Sequence, residues 1–519
     1  MEPNAYDHVP YASYTYAQTH PDRLGTLATL CGMNPAPVDH CRVMELGCGA
    51  GGNLISFAFD LKHSEFTGFD LSMMAIAEGS ELIAKLGLKN ITLNQGDLLE
   101  LGADLGEFDY IIAHGVYSWV PAPVQDQILA LCQTHLAKQG VAYISYNAYP
   151  GGHLRAIARE LMLFHTRDEP DATKRLEQSR AIIKWAAEAQ SGTNSYATWL
   201  REYDKRLPAK SDGSLYHDDV AEFNTPIYFH RFAKHAAKYG LQFLAEADYF
   251  ESQNYYEFPA EIRAQLDEMA TVNLLAKEQY LDFLKGRSFR QTLLCRHEVE
   301  LDRPVKPERI RGMYVRSSAQ PLAPTPDIKA KSVEEFRTEK MASAATDLPL
   351  AKAALFYLGK IHPRALPLEE LASRACELLE KSDNSDDAQM LAEVLLKSYG
   401  AGVVELQMHQ PTFSVAAGPF PLASPLARLQ AQKGNVVTSL LHGSLRIGDH
   451  IALQLLQLLD ASRDRETLIR ELSGFVKANM GGPDTDQVSQ DEKESLLRAL
   501  PEELEQKLAE LGKLGLLLA

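Results

Sequence analysis

Residues 44–53, MELGCGAGGN, join a glycine-rich turn to a carboxylate. Gly47, Gly49 and Gly52 fit the pattern G-x-G-x-x-G, whose glycines allow a tight turn and a close approach of the backbone to a ligand. Glu45 stands two residues before the first glycine. A dinucleotide would place its pyrophosphate at this turn, and a neighbouring carboxylate would repel it by about 1 kcal/mol or more. The loop therefore favours a cationic ligand that lacks phosphate.

S-adenosylmethionine is such a ligand, because it carries an ammonium and a sulfonium. Asp70 ends the second predicted strand and can accept hydrogen bonds from both ribose hydroxyls, although it would suit NAD as well. Asp97 follows the third predicted strand and can accept from an adenine amino group while Leu98 packs on the ring. We therefore predict S-adenosylmethionine as the cofactor, bound by Glu45, Gly47, Gly49, Gly51, Asn53, Asp70, Leu71, Asp97, Leu98 and Tyr16.

Two further motifs could supply the chemistry of methyl transfer, in which positioning and desolvation do most of the work. In HGVYSWVP, Tyr117 and Trp119 could wall a channel, and His114 could accept a proton or a hydrogen bond. The alternative is that both aromatic residues belong to the core. In SYNAYPGG, Asn147 and Tyr149 could present acceptor atoms to the substrate, or the motif could be a structural turn.

A strand–helix alternation positions these motifs. Such an alternation with short connections produces parallel strands with right-handed crossovers, and hence a three-layer, doubly wound α/β sheet. The carboxyl ends of its strands lie at one edge, where ligands bind. The predicted strands are 41–46, 65–70, 90–95, 108–113 and 141–147, and the predicted helices are 53–62, 73–87 and 123–138.

The pattern becomes helical after residue 150 and returns to strands near residue 240. We interpret 219–300 as completing the same sheet, with a separate small α/β unit as the alternative. The predicted domains are a donor-binding core at 1–150, a helical insertion at 151–218, the sheet-completing segment at 219–300, a linker at 301–335, a helical or winged-helix-like module at 336–410 and a C-terminal module at 411–519.

Composition narrows the class of protein. The net charge of −17 argues against broad nucleic-acid binding. The six scattered cysteines lack any C-x-x-C spacing and favour reduced thiols over disulfides or a zinc site. The chain contains no run of eighteen apolar residues and no secretory signal. These features predict a cytoplasmic protein without a membrane span or a bound metal.

Several longer motifs resemble one family in particular. The chain is similar to class I methyltransferases that carry a methyltransferase regulatory domain, a group that includes bacterial lysine methyltransferases of outer-membrane proteins. The segments that carry the resemblance are 13–24, 45–54, 69–72, 107–121, 145–155 and 223–248.

The resemblance implies a Rossmann-like class I sheet with helical insertions, followed by mainly helical, winged-helix-like C-terminal modules. It also implies a protein or peptide substrate, homodimerisation through a helical segment, and an N-terminal segment (10–21) that folds across the donor as a lid. An ordered tail packed on the first helix is the alternative for that segment. We therefore expect methyl transfer to a protein amine, with lysine as the amine. A small-molecule methyltransferase and a catalytically silent donor-binding protein are the competing functions, and Glu45 disfavours a nicotinamide dehydrogenase.

Overall fold

One seven-stranded mixed sheet organises the first 300 residues. The computed structural model describes residues 13–253, 255, 258–382, 385–479 and 490–519. The strands are β1 (Arg42–Leu46), β2 (Glu65–Asp70), β3 (Ile91–Gln95), β4 (Phe108–Ala113), β5 (Leu136–Asn147), β6 (Leu241–Glu246) and β7 (Phe289–Arg296). Their order in the sheet is β3-β2-β1-β4-β5-β7-β6; the first five strands in sequence are parallel, and β7 runs antiparallel to both of its neighbours.

Helices cover both faces of this sheet. In β1, Val43 belongs to the core on one face, whereas Met44 and Leu46 belong to the core on the other. Burial on both faces explains why the central strands are almost continuously apolar. The first helices are α1 (Pro21–Leu30), α2 (Gly52–Asp60), α3 (Met73–Leu86) and α4 (Ala122–His135).

Local signals set some of the helix ends. Ser72 caps α3 by accepting a hydrogen bond from the Ala75 amide (3.1 Å), and Gly87 ends the helix with φ of +68°. The helix predicted over 123–138 stops earlier, at His135. Leu136 instead pairs with Phe108, so the backbone enters β5 three residues before the predicted end.

The segment after residue 150 adds helices to the carboxyl edge of the sheet and then returns to it. Strands β6 and β7 lie in the same sheet as β1–β5, as expected from the interpretation of 219–300. The helices are α5 (Gly152–His165), α6 (Ala172–Glu188), α7 (Ser195–Arg206), α8 (Asp212–Asp219), α9 (Phe229–Lys238), α10 (Tyr249–Gln253), α11 (Ala260–Val272) and α12 (Leu274–Lys285).

The segment 301–335 was predicted as a linker, and the structure corrects this. Ile310, Val315 and Ala319 are completely buried and belong to the main core. Strand β8 (Tyr314–Arg316) pairs with β12 (Leu366–Pro367) on one side and β13 (Glu405–Gln407) on the other. The proline and basic residues that suggested a spacer flank this buried strand.

The C-terminal part is mainly helical, with short strands. None of the helices in the described ranges has the length and apolar character needed to cross a bilayer. The strands are β9 (Gln320–Pro321), β10 (Glu334–Arg337), β11 (Ser343–Thr346), β14 (Val436–Thr438) and β15 (Ser444–Arg446). The helices are α13 (Pro349–Ile361), α14 (Leu368–Leu378), α15 (Ser385–Gly400), α16 (Pro425–Lys433), α17 (His450–Leu458), α18 (Arg465–Asn479) and α19 (Gln490–Lys513).

Candidate functional site

A cavity of about 1790 Å³ lies at the carboxyl edge of the sheet. Its walls are formed by the N-terminal segment 13–16, the loops that follow β1 to β5, helix α3, the helical insertion, the start of β7, and α16 with the C-terminal hairpin β14–β15. The predicted residues Glu45, Gly47, Gly49, Asn53, Asp70, Leu71, Asp97, Leu98, Tyr16, His114, Trp119, Asn147 and Tyr149 all line it.

The glycine loop needs glycine for two different reasons. Gly47, Gly49 and Gly51 have φ of +73°, +54° and +74°, a region that side chains disfavour. A Cβ at Gly47 would also lie 2.4 Å from a methyl carbon of Val116. At Gly49 a Cβ would meet nothing within 4 Å, so there the backbone conformation alone requires glycine.

Asp70 holds this loop in place. Its Oδ2 accepts a hydrogen bond from the Gly49 amide (2.7 Å), and its Oδ1 accepts one from the Ser72 amide (2.8 Å). Each carboxylate oxygen can accept a second hydrogen bond, so the geometry is compatible with the predicted contact to ribose hydroxyls. Asp70 therefore has a structural role that the sequence did not reveal.

Glu45 is the least satisfied polar group of the loop. Its side chain is buried (3% exposed), and only Oε1 is paired, accepting from Asn53 Nδ2 at 2.8 Å. Oε2 is buried without a hydrogen-bond partner among the described residues. Burial raises the pKa of Glu45 to about 8, against the opposing effect of the Asn53 hydrogen bond. A buried, half-satisfied carboxyl group fits the cationic end of a ligand, which would supply its missing partner.

The two next strand ends also contribute to the cavity. Leu71, directly after β2, is 49% exposed and lines it. Asp97 Oδ1 accepts a hydrogen bond from the Leu99 amide (2.9 Å), which fixes the turn that presents Leu98. The ring and ribose contacts expected for Leu71, Asp97 and Leu98 stay predictions.

His114 lies on the opposite side of the cavity, near the end of β4. Its Nδ1 is 2.9 Å from Tyr143 Oη, and Tyr143 donates its own proton to Gln291 Oε1 (3.0 Å). With the Tyr143 proton on Gln291 Oε1, the His114 Nδ1–H donates to Tyr143 Oη and Nε2 is left as an acceptor; Ser145 Oγ lies 3.3 Å from the same Nδ1. Burial lowers the pKa of His114 to about 4, so the ring is neutral at neutral pH.

Aromatic rings surround this histidine. Tyr16 packs on His114 with ring centroids 4.2 Å apart, and Phe289 meets it edge-on at 6.4 Å. Burial raises the pKa of Tyr16 to about 12. Trp119 lines the cavity with the Arg155 guanidinium 5.9 Å from its ring centroid. Tyr16, Trp119 and Phe289 therefore present aromatic surfaces to the cavity, and the channel role of Trp119 stays a prediction.

Asn147 ends β5, Tyr149 follows it, and both line the cavity. The Asn147 amide donates to Ser118 Oγ (2.8 Å), and its side-chain Nδ2 donates to Asn224 Oδ1 (3.0 Å). The second contact engages Nδ2, so Oδ1 is the side-chain atom that can accept from a ligand. Tyr149 stacks on His153 at 4.0 Å between ring centroids.

Tyr117 was predicted as a channel wall, and the structure contradicts this. The side chain is completely buried in the core beneath the sheet edge, against Phe232 and Tyr146. Its hydroxyl lies 2.7 Å from His235 Nδ1. The aromatic ring of Tyr117 is stabilised by packing among apolar side chains of the core. Tyr117 therefore supports the turn that follows β4 and does not face the cavity.

Other cavity residues were not predicted from the sequence. They include Arg155 and Arg159 on α5, Asn224 and Phe289 from the sheet-completing segment, and Lys433 and Thr438 near the C-terminal hairpin. Arg155 and Asn224 lie within 145–155 and 223–248, which carry the family resemblance, and Phe289 lies within the segment predicted to complete the sheet. Lys433 and Thr438 reach the site only through long-range packing, so no local pattern marks them.

Comparisons with known proteins agree with this architecture. The family model described as "Methyltransferase domain" matches residues 37–204, "Predicted methyltransferase regulatory domain" matches 211–296, and "PKMT, C-terminal winged helix domain" matches 420–516. The winged-helix match lies within 411–519, whereas the sequence analysis had suggested such a fold for 336–410.

Two relatives cover nearly the whole chain. Uncharacterized protein RP789 of Rickettsia prowazekii is 31% identical over 482 residues, which span 91% of this chain and 86% of that protein. The structure of PKMT2 from Rickettsia typhi in complex with AdoHcy is 26% identical with a TM-score of 0.86, covering 98% of this chain and all of the other. Uncharacterized protein RP028 of R. prowazekii is 38% identical over 235 residues, 45% of this chain and 94% of that protein.

The buried, half-satisfied Glu45, the glycine loop and the acidic strand ends fit S-adenosylmethionine, and the matched domains agree with them. The protein belongs to the S-adenosylmethionine-dependent methyltransferases that carry a methyltransferase regulatory domain and a C-terminal winged helix.

Proposed function

We propose that this methyltransferase acts on an amine of a protein, and that the amine is a lysine side chain. The observation that carries the proposal is the size and construction of the cavity. Its volume of about 1790 Å³ exceeds the range of about 300–1,000 Å³ usual for one small molecule, so a bound donor leaves room for a large acceptor. The helical insertion and the C-terminal hairpin both line the cavity and offer the extended surface that a peptide segment needs. The likeness to PKMT2 points in the same direction.

The bound donor supplies an electrophilic methyl group, and the residues of this chain must position and desolvate the acceptor. Trp119, Tyr16 and Phe289 offer aromatic surfaces that can enclose an alkyl stem. Asn147 Oδ1 can accept from an amine N–H and so orient the nitrogen lone pair. These roles for the predicted site residues form part of the proposal.

His114 is better suited to hydrogen bonding than to proton abstraction. A group with a pKa of about 4 is a very weak base for an amine whose reference pKa is about 10.4. Its neutral ring also adds no positive charge beside a cationic donor. The amine proton is better lost to water, as the neighbouring cation and burial lower the pKa of the amine. Tyr149 packs on His153 and lines the same cavity.

Labelling of cell extract tests the acceptor class. Lysate from a strain that lacks the protein is incubated with purified enzyme and tritiated S-adenosylmethionine, and the labelled products are separated by size and hydrolysed. Label in protein, recovered as methylated lysine, is the expected result. Label in small molecules alone would refute the protein substrate, and label on glutamine or a carboxylate would refute lysine.

The proposal extends to assembly and location. The helical insertion exposes Phe164 on α5 (69%) and Trp185 on α6 (64%), which supports a homodimer formed through these helices. All six cysteines are free and buried, which supports a reducing, cytoplasmic location. The acidic charge supports the absence of a nucleic-acid partner. Sedimentation of the wild type and of a Phe164→Glu variant tests the dimer.

A further inference from the structure

The N-terminal segment 13–16 lies directly on the glycine loop. Ser13 Oγ accepts from the Gly52 amide (2.9 Å), and Thr15 Oγ1 donates to the Gly52 carbonyl (3.0 Å). A Cβ at Gly52 would lie 2.6 Å from Ser13 Oγ and 2.9 Å from the Tyr14 carbonyl oxygen. The third glycine of the motif therefore makes room for this segment.

The same segment is held from the other side by the hairpin β14–β15. The Thr15 amide donates to Ser444 Oγ (2.9 Å), which in turn donates to the Thr15 carbonyl (3.2 Å). Thr15 Oγ1 and Thr438 Oγ1 are 3.2 Å apart. Thr15 and Thr438 are each 4% exposed, so the contact between their hydroxyls is shielded from water, whereas Ser444 is an exposed residue. One residue thus joins the hairpin to the glycine loop.

The direction of the hydroxyl hydrogen bonds can be worked out from their ends. Thr15 uses its only hydroxyl proton on the Gly52 carbonyl, so Thr438 must donate to Thr15. Gln430 Nε2 donates to Thr438 Oγ1 (3.0 Å), while Gln430 Oε1 accepts from the Thr438 amide (2.7 Å). Three successive hydrogen bonds therefore lead from Gln430 on α16 through Thr438 and Thr15 to the Gly52 carbonyl. Removal of one hydroxyl would leave buried partners unpaired.

Segment 13–16 is also connected to Glu45. The Tyr16 amide donates to Asn53 Oδ1 (2.8 Å), and this contact orients the Asn53 amide so that Nδ2 donates to Glu45 Oε1 (2.8 Å). Tyr16 also places its ring against His114 in the cavity. A displacement of segment 13–16 would therefore affect Glu45, Tyr16 and the glycine loop together.

A second anchor fixes the hairpin to the helix that starts at the glycine loop. His442, between β14 and β15, has Nδ1 3.0 Å from Ser56 Oγ and Nε2 3.2 Å from Asp60 Oδ2, both on α2. His442 is buried, so this contact is shielded from water. The exposed Lys433–Glu78 pair (2.8 Å) adds a third link of little energy.

We propose that the hairpin β14–β15 of the C-terminal winged helix is a positioning element of the donor site, acting through Thr438 and Ser444 on segment 13–16. Neither residue needs to touch the donor. They hold Thr15, and through it the residues that do line the donor site. The winged helix thereby has a role in donor binding, 423 residues away in sequence from the segment it holds.

Calorimetric titration of the full chain with S-adenosylhomocysteine tests the proposal and requires no acceptor. The outcome is therefore independent of the proposed lysine substrate. The variant Thr438→Val with Ser444→Ala should raise Kd about tenfold or more, because buried donors and acceptors lose their partners. Thr438→Ser, which retains the hydroxyl, should keep Kd within twofold of the wild type.

The matched control is Thr412→Val, because Thr412 is an exposed threonine of the same C-terminal module. Its Kd should not change. Equal donor affinity in the Thr438/Ser444 variant and the wild type would overturn the proposal. If that variant does not fold, hydrogen exchange on the wild type decides the question. Donor binding should then slow amide exchange in residues 13–16 and 436–446, and unchanged exchange in 436–446 would overturn the proposal.

Discussion

Donor binding should depend on pH through the ionisation of Glu45. The pKa of this buried side chain is raised to about 8 in the donor-free protein, whereas a cationic donor requires the carboxylate. About 1% of the side chains are ionised at pH 6 and about 9% at pH 7, as follows from that pKa. Since affinity scales with the binding-competent fraction, the association constant should rise about ninefold over this unit of pH, or about 1.3 kcal/mol.

Isothermal titration calorimetry between pH 6 and pH 7 measures this pH dependence of the association constant. The range lies below the reference pKa of about 7.7–8.0 for the α-amino group of the donor, so the charge of the donor changes little. At pH 7, titrations in two buffers with different ionisation enthalpies should show the release of about 0.9 proton per donor bound, because the ionised fraction rises from about 9% to nearly all. Glu45→Gln should bind the donor more weakly and show neither the slope nor the proton release.

The dependence of donor binding on Glu45 would be refuted by a wild-type Kd that is constant between pH 6 and pH 7, or by an equal slope in Glu45→Gln.

The stability of the donor-free protein offers a second check. When folding raises the pKa of a carboxyl group, the protein loses folding stability as the pH rises from the unfolded pKa to the folded pKa, here from about 4.5 to about 8. The upper limit of this loss is about 5 kcal/mol. The free energy of unfolding of Glu45→Gln should therefore decline less from pH 5 to pH 8 than that of the wild type.

Two substitutions and one binding experiment test other parts of the protein. Trp119→Ala should lower kcat at least tenfold while donor Kd stays within about threefold, because this residue would orient the acceptor; a parallel loss of donor affinity would contradict that role. Tyr117→Phe removes the hydrogen bond to His235, so the free energy of unfolding by urea should fall by about 1 kcal/mol with turnover kept within twofold. A large loss of turnover at unchanged stability would instead return Tyr117 to the active site. Finally, the full chain should pass through a duplex-DNA column without salt-sensitive retention, because its acidic C-terminal part cannot neutralise phosphates.

Much of the donor half of the site could be predicted from the sequence because it is local. Parallel strands with short crossovers bring their carboxyl ends to one edge, so the residue at each strand end is placed as soon as the strand is recognised. Glu45, Asp70 and Asp97 are such residues, and all three line the cavity. The conformation of Gly47, Gly49 and Gly51 is likewise a property of single residues.

The acceptor half was less predictable, since a motif places a backbone but not a side chain. Tyr117 and Trp119 are two residues apart on one short turn, yet Tyr117 is buried in the core and Trp119 lines the cavity. The choice depends on Phe232 and His235 of α9, which fill the space beneath the turn and pair the Tyr117 hydroxyl. The contacts lie more than a hundred residues away in sequence, so no local pattern reveals them.

The sequence by itself determined the class of fold, the donor and the residues at the strand ends, because these follow from periodicity, charge and spacing within short segments. Only the tertiary structure decided that 310–319, within the predicted linker, belongs to the core and that the hairpin β14–β15 holds Thr15 on the glycine loop. Both depend on burial and on hydrogen bonds between distant segments. Their free energy arises when the surfaces exclude water, which a one-dimensional pattern does not encode.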